Sequence, residues 1–131
     1  MPRSLQQTVR LAAPPDELFD SYLDPRRHAA ITGQPVRIGA TPGCEFSAFG
    51  GMLSGRIVAV IPKRLIVQTW RSQHFGAQDP DSILVLSFSG DRAYGQIDLV
   101  HVNVADQDFD DVSKGWETFY WAPWRKFLGQ P

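Results

Sequence analysis

The chain has 131 residues, with 13 Lys or Arg against 14 Asp or Glu for a formal charge of −1, and its basic residues are scattered, which gives nucleic acid little electrostatic purchase. Hydrophobic residues make up 43% and charged residues 21%, the values of a globular domain that packs a core without disulfide or metal, and no apolar run approaches the ~20 residues of a membrane span. One domain over residues 1–131 is expected, at a cytoplasmic address, because residues 1–11 lack the apolar stretch of a secretion signal.

Residues 5–12 place Leu5, Val9 and Leu11 on one face and Gln6, Thr8 and Arg10 on the other, the two-residue period of a half-buried strand. Pro14 and Pro15 then lead into Asp16 and Glu17, which suit a helix start through fixed φ and the macrodipole, with Leu18, Phe19, Tyr22 and Leu23 as its apolar side. Asp24 and Pro25 open a second short helix that Gly33 stops. His28 in that helix and His74 in a later loop have no ligand spacing and are expected in solvent.

From residue 35 to residue 104 the sequence reads as about six strands, punctuated by turn formers at 41–43, 50–51, 62–63, 78–82 and 90–91. Connections this short make hairpins, so the strands form an antiparallel meander that the glycines allow to bend. Cys44 is the single cysteine. It has no partner for an internal disulfide and no second thiol for a metal, and is expected as a reduced thiol buried in the core.

The acidic stretch that follows sets Asp106, Asp108, Asp110 and Glu117 at positions 1, 3, 5 and 12 of a calcium-loop spacing, but Asp111 stands where that loop needs Gly and Lys114 where it needs an oxygen ligand. No metal is expected. A phosphate-cradling Gly-Lys-Ser/Thr loop, a dinucleotide fingerprint and a Gly-x-Ser-x-Gly elbow are all missing from the sequence, so no cofactor is expected either. A helix then spans residues 112–128. At about 100° per residue, Trp116, Phe119, Tyr120, Pro123, Trp124 and Phe127 share one face, while Lys114, Thr118, Ala122 and Arg125 lie opposite. Pro123 cannot donate to Phe119, which predicts a bend and not an end. Trp121 falls near the polar face, to pack on a neighbouring loop, on the short helices or on another chain.

If alternation holds along the strands, Phe46 and Ala48, Ile57, Ala59 and Ile61, Ile66, Gln68 and Trp70, and Ile97, Leu99 and His101 face the helix residues Trp116, Phe119 and Tyr120. Such a lining, apolar with sparse polar groups, suits a small-molecule pocket; the competing arrangement is a set of layers that interdigitate and leave no void. His101, Gln68 and Tyr120 are the groups able to orient a ligand. His101 is the candidate for proton transfer near neutral pH, although no carboxylate partner can be assigned to it by spacing.

The order strand, two short helices, meander and aromatic helix resembles the START-like helix-grip superfamily, also called SRPBCC. GCEFSAFGGMLSGRIVAVIPKRLIVQTWRS at 43–72, GQIDLVHVNV at 95–104 and GWETFYWAPWRKFL at 115–128 are similar to the central hairpins, late strand and closing helix of its heat-shock-protein-90 ATPase activator homologue family. The resemblance implies an α+β helix-grip fold: a strongly curved antiparallel sheet of six to seven strands, two short helices after the first strand, and a long C-terminal helix across the sheet. It implies a binding module for a small hydrophobic ligand, lipid-like or aromatic, held between helix and sheet. The alternatives it leaves open are a polyketide cyclase or dehydratase-like enzyme using His101, and a protein-interaction or co-chaperone-like role, with a homodimer among the expected partners.

Overall fold

The computed structural model describes residues 1–130. Strand β1 (Arg3–Leu11) precedes helices α1 (Pro15–Leu23) and α2 (Pro25–Thr32); strands β2 (Val36–Arg37), β3 (Glu45–Ala48), β4 (Leu53–Ile61), β5 (Leu65–Ser72), β6 (Ser82–Gly90) and β7 (Gly95–Val104) follow. A single 3-10 turn at Asp106–Asp108 then opens a continuous C-terminal helix in three segments: α3 (Phe109–Trp116), a π-helical turn (Glu117–Trp121) and α4 (Ala122–Phe127). The expected six strands after residue 35 are therefore present. Among the described residues the seven strands form one antiparallel sheet in the order β1-β7-β6-β5-β4-β3-β2, so the first and last strands meet as neighbours.

The local chemistry explains the boundaries. Pro15 fixes the first turn of α1, and Asp16 and Glu17 follow it toward the positive end of the helix dipole. The Asp24 carboxylate accepts from the backbone N–H of Arg26 at 2.8 Å and of Arg27 at 3.3 Å, capping α2, which ends where Gly33 takes a φ of 78°. At the far edge of β7, Gly95 allows α1 to sit directly on the sheet. A Cβ there would lie 2.5 Å from Leu18 Cδ1 and 2.7 Å from the Ala13 carbonyl oxygen. Gly95→Ala is accordingly expected to cost about 2 kcal/mol by overpacking, read as a lowered urea midpoint; an unchanged midpoint would contradict this seat of α1.

Two parts of the expected pattern are corrected by irregular backbone. Pairing of β4 with β5 runs Ile57 to Gln68 and then Ala59 to Val67, so Val58 is an extra residue. This bulge reverses the alternation beyond it. Ala59 and Ile61, expected to face the helix, are exposed, and Val60 packs against the core in their place. Cys44 is half-buried at the margin of the core and not inside it.

The second correction concerns the C-terminal helix, which starts at Phe109 and not at residue 112. Pro123 does not end it, as expected, but the register changes just before the proline, where the Ala122 N–H donates to the Glu117 carbonyl five residues back. A π-turn holds one residue more than α spacing, and so rotates everything after it by roughly 100°. Trp116, Tyr120 and Trp124 face inward as expected, while Phe119 and Phe127, expected on the same face, are 53% and 46% exposed. Trp121, expected near the polar side, is buried. Its indole N–H donates to Gln7 Oε1 at 2.8 Å, and Gln7 Nε2 donates to the Ser113 carbonyl at 2.9 Å, which ties β1 to the helix.

Candidate functional site

The space between helix and sheet is filled along most of its length and opens at one end into a cleft of about 530 Å³. Phe49, Met52 and Leu53 of the β3–β4 hairpin form one wall, Trp70, Ser72 and His74 at the end of β5 the floor, and Asp108, Val112, Trp116, Phe119 and Tyr120 of the 3-10 turn and helix the other wall. The hairpin reaches the helix through three successive residues in the left-handed region, Phe49, Gly50 and Gly51, at φ 53°, 67° and 90°. Glycine takes that conformation freely and phenylalanine does not. The Phe49 ring packs edge-to-face on Phe119 at 5.6 Å and on Tyr120 at 6.1 Å. Gly115 presents only backbone to the same space.

The polar groups of the cleft are few. Asp108 is 4% exposed. Burial holds its carboxyl above the usual carboxylate range, opposed by a hydrogen bond from Ser72 and by the nearby His74, and helped by the Asp111 charge. The Ser72 hydroxyl also accepts from the His74 backbone N–H at 3.1 Å. The indole N–H of Trp70, a residue 5% exposed, is buried with no protein acceptor among the described residues. Trp124 carries the other such indole, but away from the cleft. Asp111 and Lys114 stand exposed at the rim.

Two hydrogen-bond chains lie behind the cleft. In the first, the Trp116 indole N–H meets His101 Nδ1 at 3.3 Å, which makes Nδ1 the acceptor and leaves the proton on Nε2. Nε2 then donates to Ser82 Oγ at 2.8 Å, and Ser82 donates to the Trp70 carbonyl at 2.6 Å. Burial drives the His101 pKa down to about 3, so the ring is neutral at physiological pH with both nitrogens occupied. In the second chain, His28 Nδ1 faces the Tyr22 carbonyl at 2.7 Å and must carry the proton, so that Nε2 accepts from the Tyr120 hydroxyl at 2.9 Å. Burial lowers the His28 pKa to about 4 and raises Tyr120 well above the usual phenol range. The Tyr22 hydroxyl donates to Gln68 Oε1 at 2.6 Å.

The structure brings Trp70, Trp116, Phe119 and Tyr120 together on the cleft wall. Phe46, Ala48, Ile57, Ile66, Gln68, Ile97, Leu99 and His101 lie in the packed interior instead, all 2% exposed or less. His28, expected in solvent, is corrected to 1% exposed because α2 packs against the C-terminal helix and turns that ring inward. Alternation missed Phe49, Ser72, His74 and Asp108. The double glycine beside Phe49 was the available signal for a hairpin bent toward the helix; the acidic run drew attention to Asp108 only as a metal ligand. Its neighbours have other partners: Asp106 pairs with Arg3 at 2.9 Å, Asp110 approaches the same Arg3 at 4.0 Å, and Glu117 pairs with Arg125 at 2.8 Å.

Compared with known proteins, residues 12–123 match the profile of the family described as Activator of Hsp90 ATPase homolog 1-like protein. An activator of 90 kDa heat shock protein ATPase homolog from Dictyostelium discoideum is 22% identical over 116 residues, covering 88% of this chain and 30% of that protein. The uncharacterized protein C1711.08 of Schizosaccharomyces pombe is 39% identical over 67 residues, or 51% of this chain and 20% of that one. The chain thus spans less than a third of the length of either curated relative. Among solved structures, an HSP90 activator from Plasmodium falciparum superposes with a TM-score of 0.87 at 21% identity, covering 98% of both chains. No helix among the described residues is long and apolar enough to cross a membrane.

Proposed function

Because the chain belongs to the Activator of Hsp90 ATPase homolog 1-like family, with the helix-grip fold of its relatives, we propose that it binds a small apolar, ring-bearing molecule in the cleft between its C-terminal helix and its sheet. The observation that carries this is the cleft itself: about 530 Å³, within the size range of ligand sites, walled by five aromatic rings, and furnished with few polar groups. The filled part of the interior supplies rigid backing. The Trp116–His101–Ser82 chain, anchored on the Trp70 backbone carbonyl, holds the Trp116 indole in fixed orientation, which lowers the ordering cost of binding. His101 is assigned this positioning role, since neither ring nitrogen is free for a substrate.

Native mass spectrometry against a library of lipids and aromatic compounds, followed by tryptophan fluorescence titration of the hits, tests the proposal. Saturable one-to-one binding is expected. Phe119→Ala should weaken it by about tenfold, the loss of one aromatic contact, with little change in stability because that ring is 53% exposed. A library without a single saturable binder, or hits indifferent to Phe119→Ala, would count against it.

A co-chaperone-like role is the second reading, favoured by the exposed Phe119 and Phe127 rings on the helix and by the name of the Dictyostelium relative. Stimulation of a heat-shock-protein-90 ATPase by this chain, lost in Phe127→Ala, is its expected sign; a flat ATPase response removes it.

A further inference from the structure

The polar equipment of the cleft narrows the class of ligand, resting on the binding proposal above. Asp108 is nine-tenths buried on the wall, and its carboxylate has acceptor sites beyond the one filled by Ser72. Ser72, whose hydroxyl accepts from the His74 backbone N–H, stands beside it in the cleft. Around them stand the π faces of Phe49, Trp70, Trp116, Phe119 and Tyr120, which attract cations. A carboxylate ligand would meet the Asp108 and Asp111 charges at close range, and the exposed rim position of Lys114 leaves its opposing charge screened by solvent.

We propose that the cleft selects ring-bearing amines, seating the protonated amine against the Asp108 carboxylate and the ring system among the aromatic faces around it. Fatty acids and aromatic acids are disfavoured by the Asp108 and Asp111 carboxylates. The amine restores to Asp108 the hydrogen bonding that burial removed, and a charge-assisted bond in a partly desolvated site is the stronger kind. Burial also holds the Asp108 carboxyl above its ordinary range, and an ammonium partner keeps it ionised.

The test is calorimetric titration of the whole chain with three probes of one shape: methoxynaphthyl-ethylamine, methoxynaphthyl-ethanol and methoxynaphthyl-acetic acid. The amine is expected to bind at least about tenfold more tightly than the acid, with the alcohol between them. Asp108→Asn, which keeps the shape, should abolish the advantage of the amine over the alcohol. Equal binding of all three probes, or an acid that binds as well as the amine, overturns the amine assignment and leaves the cleft proposal standing. Failure of every probe to bind overturns both.

Discussion

Taking the protein from pH 7 to pH 4.5 should lower its unfolding free energy by about 5 kcal/mol, a large part of the 5–15 kcal/mol that holds a typical domain together. The two buried histidines account for it. Each has an ordinary value of 6.5, lowered to about 4 at His28 and about 3 at His101. A base whose folded pKa is depressed binds more protons when unfolded, so stability is complete above pH 6.5 and falls by ~1.4 kcal/mol per pH unit for each ring as pH drops toward the folded values. Asp108 acts in the opposite sense, since a carboxyl raised on folding favours the native state as pH falls through its raised folded value toward the ordinary carboxylate range. Urea unfolding at pH 7, 5.5 and 4.5 measures the slope, and His28→Gln should roughly halve it. A stability constant to within 1 kcal/mol over that range would mean that neither ring is held neutral in the interior.

Trp121→Ala should cost about 3–5 kcal/mol, and Phe127→Ala less than about 1 kcal/mol, the reverse of what an uninterrupted α-helix would give. The Trp121 ring is 4% exposed. It stacks on Trp116 at 5.6 Å and on Trp124 at 6.4 Å, and it satisfies Gln7. Phe127, in contrast, is nearly half in solvent. Denaturant midpoints of the two variants decide the register of the helix. Equal losses, or a larger loss at Phe127, would place the π-turn in error.

What could be read from the sequence follows from which rules are local. The period-two pattern of β1 and the turn residues between strands depend on near neighbours, and they located the meander and its hairpins. Asp24 and Gly33 punctuated α2 for the same reason. Val58 and the π-turn are different, because one inserted residue in a strand or helix rotates everything beyond it without changing the composition. Ala59, Ile61, Phe119, Phe127 and Trp121 were all misplaced by those two insertions. His28 was illegible for another reason. Its burial is decided by Tyr120, 92 residues away, and no local pattern announces that contact. Gln7 breaks the apolar face of β1, and that break was the one available hint that something across the sheet needed a polar partner.

Trp70, Trp116 and Tyr120 line the cleft together with the half-exposed Phe119. Their rings form the wall of the proposed binding cleft, backed by the buried hydrogen-bond chains and left open where the Phe49 hairpin stops short of filling the gap. The indole N–H resonances of the four tryptophans, followed by NMR while methoxynaphthyl-ethanol is added, test that arrangement most directly. The Trp70 and Trp116 signals are expected to move together and saturate while those of Trp121 and Trp124 stay in place; four stationary signals, or movement confined to Trp121 and Trp124, would contradict a ligand site on that wall.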